Sequence, residues 1–210
     1  MTLYLDSASL EDGRRAAALG FVGGATTNPV LVARAGRTAE EAVTGLVDTL
    51  GGLVFHQLTA STAAEREVEA RRVLALRPGH IGLKIPCQLD SLALARRLGA
   101  EGHVVGITAV FSPAQVYLAA ALGARYVLPY VNRSSRLLGD GPGLVRQMRA
   151  VIDALGDPME IIAASVKNPE EAVATVLAGA HHLTLPLSVI EAMASHPLSQ
   201  QAIEDFARAR

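Results

Sequence analysis

HIGLKIPCQ, residues 80–88, places one charged side chain, Lys84, inside an otherwise apolar run that reads as a buried strand. Runs of the same kind recur along the chain. They are LYLD (3–6), FVGGATT (21–27), LVFHQLT (53–59), IGLKIP (81–86), VVGITAVF (104–111), YVLPYV (126–131), EIIAAS (160–165) and HLTLPL (182–187). Helical patterns separate them. In STAAEREVEARRVLAL, Ser61 or Thr62 can cap the start, and Ala, Glu and Arg are strong helix formers. SPAQVYLAAALGA opens with Ser112 and Pro113 at the cap and first helical positions and stops near Gly123. Eight strand and helix pairs in 210 residues predict an α/β fold: a single (β/α)8 TIM barrel spanning 1–210, with a short C-terminal helix. No G-x-G-x-x-G follows the first strand, so an open dinucleotide-binding sheet lacks its main signal.

The bulk numbers narrow the function. With 50% hydrophobic residues, 19% charged residues and a net charge of -1, the chain is neither disordered nor an electrostatic partner for nucleic acid or anionic lipid. A small ligand is expected. The single cysteine, Cys87, excludes an intramolecular disulfide, and MTLYLDSASL lacks the basic segment and apolar core of a signal peptide, so the expected location is the cytoplasm. No apolar run approaches the ~18 to 20 residues that cross a bilayer, and membrane insertion is not expected.

Lys84 carries the chemistry. Of the 19 basic residues 17 are arginine, and only Lys84 and Lys167 are lysine. Arginine keeps its proton, whereas lysine can shed it and attack a carbonyl as an amine. A barrel interior disfavours the charged ammonium and so supplies that amine near neutral pH. The competing reading is a lysine that snorkels to a barrel end or pairs with a buried carboxylate.

Barrel chemistry sits at the carboxyl ends of the strands. Reading those ends gives Asp6, Thr26 with Asn28, Gln57 with Thr59, Lys84, Thr108, Tyr130 with Asn132 and Arg133, and Ser165 with Lys167; the eighth strand offers only Thr184. Several have two readings. Asp6 precedes Ser-Ala-Ser and is either an N-cap or a proton-transfer group. Asn28, before Pro29, either caps a helix or holds a ligand hydroxyl. Gln57 and Tyr130 together can hold a water where a proton is delivered. Arg133 and Lys167 are either solvated charges or contacts for a phosphate-bearing tail. Among the histidines no i, i+4 pair of the H-E-x-x-H kind occurs, and neither a metal nor a cofactor is expected. His56 should face a helix if Gln57 faces the barrel, and Cys87 reads as a buried or half-buried thiol.

With these residues laid out, the chain resembles the transaldolase family, in particular the short subfamily containing fructose-6-phosphate aldolase. The resemblance rests on LYLDSAS (3–9), GATTNP (24–29), GLKIP (82–86), GITAVFSPAQ (106–115), PYVNR (129–133) and AASVKNP (163–169), and covers nearly the whole chain. It implies a Schiff-base mechanism on Lys84, acid/base work by Asp6, hydroxyl ligands in Asn28 and Ser165, a water holder in Thr108 and a phosphate contact in Arg133. Gln57 and Tyr130 stand where transaldolases carry glutamate and phenylalanine, which places the chain on the aldolase side. The implied reaction is reversible cleavage of fructose 6-phosphate, or a related ketose, to dihydroxyacetone and an aldehyde. Transfer of dihydroxyacetone between sugar phosphates and a non-catalytic sugar-phosphate-binding barrel are the alternatives. The resemblance also implies a homo-oligomer, a pentamer or decamer. SSRLLGDGPG, residues 134–143, departs from the subfamily pattern and is expected to be a loop.

Overall fold

Successive side chains of a strand point to opposite faces, so each short run supplies one set of side chains to the inside of a barrel and another to the outside. In the computed structural model, which describes residues 1–209, the runs are β1 (Leu3–Asp6), β2 (Val22–Thr26), β3 (Leu53–Gln57), β4 (Ile81–Pro86), β5 (Val105–Val110), β6 (Tyr126–Pro129), β7 (Glu160–Ala163) and β8 (His182–Leu185). Each pairs in parallel with the next, and β8 returns to β1 to close the (β/α)8 barrel. The helices are α1 (Leu10–Leu19), α2 (Pro29–Ala35), α3 (Ala39–Leu50), α4 (Ala63–Leu76), α5 (Leu89–Ala100), α6 (Pro113–Ala121), α7 (Val131–Leu138), α8 (Gly141–Leu155), α9 (Pro169–Leu177), α10 (Leu187–Met193) and α11 (Pro197–Arg208). Several strands end up to two residues earlier than their apolar runs do. Tyr130, which keeps a single bridge to Ala164, and Ser165 thereby lie just past the strands, at the mouth.

Two apolar layers result. Outward residues such as Leu5, Val54, Leu83, Ile107 and Val127 pack against Leu46, Leu98, Val145 and Met148 on the helices. Inward, Tyr4, Phe55, Tyr126, Leu128 and Ile162 form a separate cluster. Its rings meet edge to face, Tyr4 with Phe55 at 5.9 Å and Phe55 with Tyr126 at 5.5 Å between centroids. Neighbouring strands make room for them: a β-carbon on Gly82 would lie 2.7 Å from the Phe55 ring, and one on Gly106 would lie 2.6 Å from Leu128. Two residues further along the same faces come Asp6 above Tyr4, Gln57 above Phe55, Lys84 above Gly82 and Thr108 above Gly106. The aromatic floor therefore supports a polar layer.

Local chemistry sets the helix starts. Thr62 and Glu65 form a capping box on α4, with the Thr62 amide donating to Glu65 at 3.1 Å and the Glu65 amide to Thr62 at 3.2 Å. Residues 134–143 are not the expected loop. α7 runs through Leu138, Gly139 ends it, and Asp140 caps α8 by accepting from the Gly143 amide at 2.7 Å. The glycines and Pro142 there mark two abutting helix ends, a placement that composition alone does not separate from a loop. α11 is exposed along its length, Leu198, Ile203 and Phe206 included. Among the described residues no helix is long and apolar enough to cross a membrane.

Candidate active site

Asp6 ends β1, and the structure settles what it is free to do. Ser9 caps α1, its Oγ accepting from the Asp12 amide at 3.2 Å. Asp6 instead accepts from Thr26 Oγ1 at 3.0 Å. A hydroxyl has one proton, so Thr26 accepts from Thr184 Oγ1, 2.8 Å away. Both threonines are fully buried, and Thr184, the weakest strand-end candidate, proves to be the third link.

Lys84, on β4, is only 2% exposed, and its Nζ donates to the Thr27 carbonyl at 3.1 Å. No carboxylate forms an ion pair with it among the described residues. Burial pushes its pKa down, while the nearby Asp6 carboxylate pulls it back up. Burial pushes Asp6 up, against the lowering influence of Lys84, the Thr26 hydrogen bond and Lys167. Both shifts favour the uncharged forms, which suits an amine nucleophile beside a proton carrier.

Tyr130 follows β6. The Thr108 hydroxyl faces its phenol at a long 3.4 Å, Phe111 meets its ring edge to face at 5.7 Å, and the Arg133 guanidinium lies 4.9 Å above it. Two of the supporting residues sit in left-handed backbone: Ala109, beside Thr108, at φ 58° and Ser165 at φ 61°. Non-glycine residues seldom adopt this region, and strain of this kind gathers at functional sites. At Ala109 the β5–β6 register slips between Thr108 and Val110, so the bulge re-aims the end of β5.

These groups border one cavity of about 420 Å³ at the carboxyl ends of the strands. Asp6, Lys84 and Tyr130 line it together with Asn28, Gln57, Ser165, Arg133 and Lys167. The two readings of Asn28 coexist: its Oδ1 caps α2 by accepting from the Val30 and Leu31 amides at 3.0 and 3.1 Å, which leaves its amide donors to the cavity. Gln57 Oε1 is buried without a hydrogen-bond partner among the described residues, an acceptor suited to a water or a ligand hydroxyl. Lys167 also does two things, since its backbone amide donates to Glu171 at 2.7 Å while its side chain lines the cavity.

Not every strand-end candidate reaches that space. Thr26 and Thr108 lie outside the lining and hydrogen-bond to Asp6 and Tyr130, which are in it. The Asn132 side chain donates to Glu171 at 3.1 Å and straps α7 to α9. Asn132 and Arg133 are adjacent on a helix, so they face different directions. His56 faces α4, its Nε2 2.8 Å from Glu69, whose carboxylate also accepts from the Thr59 and Ala60 amides at 3.0 Å each. Arg34 escapes a reading confined to strand ends. It lies in the last turn of α2 and lines the same cavity. Its only signal in the sequence is the brevity of α2, seven residues between the Asn28 cap and Gly36, which leaves the far end still at the mouth. Among the described residues no three His, Cys, Asp or Glu side chains gather as a metal site requires.

Comparison with known proteins gives a consistent picture. The family model described as Transaldolase/Fructose-6-phosphate aldolase matches residues 3–210. A probable transaldolase of Lactiplantibacillus plantarum is 38% identical over 207 residues, covering 99% of this chain and 95% of that one. A probable transaldolase of Thermus thermophilus is 38% identical over 215 residues, covering 98% and 96%. Among solved structures, a mandelate oxidase mutant with an FMN adduct superposes with TM-score 0.64 at 12% identity, over 89% of this chain and 64% of that one. That likeness concerns the barrel alone.

Proposed function

Because the chain belongs to the transaldolase/fructose-6-phosphate aldolase family, we propose that it cleaves fructose 6-phosphate, or a related ketose, reversibly through a Schiff base on Lys84. It is an enzyme of the aldolase or transaldolase type, which sets aside a barrel that merely binds sugar phosphates. The observation that carries the reading is Lys84, buried, with its pKa lowered, in one cavity with Asp6 and Tyr130.

The steps follow from those positions. Neutral Lys84 attacks the C2 ketone, and loss of water leaves an iminium. Asp6 takes the proton of the C4 hydroxyl, the C3–C4 bond breaks, and its electron pair enters the iminium to give an enamine while C4 leaves as an aldehyde. A water held between Tyr130, Thr108 and Gln57 protonates the enamine at C3 and is resupplied with the proton that Asp6 took, which restores the carboxylate. Hydrolysis of the new iminium then frees dihydroxyacetone and restores the amine. Asn28 and Ser165 hold substrate hydroxyls, and Arg133 with Lys167 meets the phosphate.

The test is borohydride reduction in the presence of dihydroxyacetone, followed by peptide mass mapping. A reduced adduct on Lys84 is expected, and its absence overturns the mechanism. The names of the relatives favour a second reading, transfer of the enamine to an acceptor aldehyde. Product analysis with fructose 6-phosphate alone separates the two, since free dihydroxyacetone appears without an acceptor only in the first. The exposed apolar residues of α11 support a homo-oligomer.

A further inference from the structure

We propose that Arg34 is a specificity-determining residue: with Arg133 and Lys167 it closes on the phosphate of the substrate, so that the site prefers phosphorylated over unphosphorylated sugars. This rests on the aldol reading above and extends it to a residue outside the strand ends.

The cavity is electrostatically lopsided. Arg34, Lys84, Arg133 and Lys167 line it against a single carboxylate, Asp6, in a chain whose net charge is -1. Beside the Lys84–Asp6 pair, Arg34, Arg133 and Lys167 add three cations to the lining. Those three come from separate elements: the last turn of α2, the first turn of α7 and the loop before α9. None of them makes an ion pair among the described residues, although Arg66, Arg71, Arg72, Arg77 and Arg97 are each engaged by a carboxylate. A phosphate monoester presents three outer oxygens and close to two negative charges, and three cations from three directions match both. Arginine further suits a phosphate because its planar fork binds two oxygens at once. The backbone that carries the exposed Arg34 is fixed at both ends, since α2 is anchored at its start by the two hydrogen bonds to Asn28 and stopped by Gly36 in left-handed backbone.

The competing role is local: a cation in the last turn complements the dipole of α2. The experiment separates them. Arg34→Gln and Arg34→Lys are compared with the wild-type enzyme on fructose 6-phosphate cleavage and on the aldol addition of dihydroxyacetone to unphosphorylated glyceraldehyde. Inorganic phosphate is titrated into each protein in parallel. Arg34→Gln should lower the ratio of kcat/KM for the phosphorylated over the unphosphorylated reaction roughly 10- to 100-fold, mainly through KM, and weaken phosphate binding by a similar factor. Arg34→Lys should recover part of both. An unchanged ratio with unchanged phosphate affinity overturns the proposal, and so does an equal fall in both reactions, which is the mark of a purely structural role. If wild-type enzyme forms no adduct on Lys84 and performs neither reaction, the aldol reading fails while the phosphate titration still decides Arg34.

Discussion

The Thr26 hydroxyl donates to the Asp6 carboxylate across the β1–β2 boundary at 3.0 Å, and Thr184 stands 2.8 Å behind it. That hydrogen bond lowers the Asp6 pKa against the upward push of burial. Thr26→Val removes it, so the Asp6 pKa rises further and less carboxylate is ionised at a given pH. The acid limb of kcat should move to higher pH, with stability reduced by about 1–3 kcal/mol as Thr184 loses its partner. An unmoved profile means that the relay does not act on Asp6.

Burial lowers the Lys84 pKa, and the Asp6 carboxylate opposes it by raising that pKa. Asp6→Asn should therefore drop that pKa further and shift the limb set by amine protonation to lower pH. Loss of the proton carrier should also reduce kcat roughly 10²- to 10⁴-fold. The two effects are read from one pH series, and a limb that moves upward contradicts the assigned coupling.

The contact of Tyr130 with Thr108 is long, 3.4 Å, as expected of groups that share a water. Tyr130→Phe should slow release of dihydroxyacetone from fructose 6-phosphate about 100-fold and slow transfer to erythrose 4-phosphate less. Product ratios with and without the acceptor check this. Equal losses in both reactions would deny Tyr130 the protonation step.

Glu69 binds β3 to α4. Burial raises its pKa, but the His56, Thr59 and Ala60 hydrogen bonds outweigh that and bring it from 4.5 down to about 2. A depressed carboxyl contributes stability that is fully present above the unfolded value and is lost as pH falls from 4.5 toward 2. Urea unfolding of wild-type and Glu69→Ala protein should differ by about 3 kcal/mol at pH 7, and the gap should shrink through that window. A gap that stays constant with pH rules out this linkage.

On α11, Ile203 and Phe206 are 66% and 72% exposed. Replacing both by glutamate should lower the assembly size measured by light scattering while leaving the barrel folded by circular dichroism. Should the wild-type chain itself sediment as a monomer, the homo-oligomer is excluded.

The eight runs and most of the cavity lining are readable from residue order, because period-two alternation and strand-end chemistry are local properties. Arg34 is not, since nothing local shows that a helix as short as α2 ends at the cavity rim. Asn132 reads as substrate-facing from its place beside Arg133, and only its bond to Glu171 shows where its amide is spent. The role of Thr184 is likewise hidden, because its partner Thr26 lies 158 positions away.

By itself the sequence determined the alternating strands and helices, the barrel they imply, and the choice of lysine over arginine at position 84. Only the closed tertiary structure decided which polar atoms meet. Closure joins β8 to β1, seats Thr184 behind Thr26, and brings the Thr27 carbonyl to the Lys84 amine across 57 residues. Facing direction is a property of neighbouring residues, whereas desolvation and hydrogen-bond partnership depend on every element that surrounds a group, and those elements converge only when the ring of strands is complete.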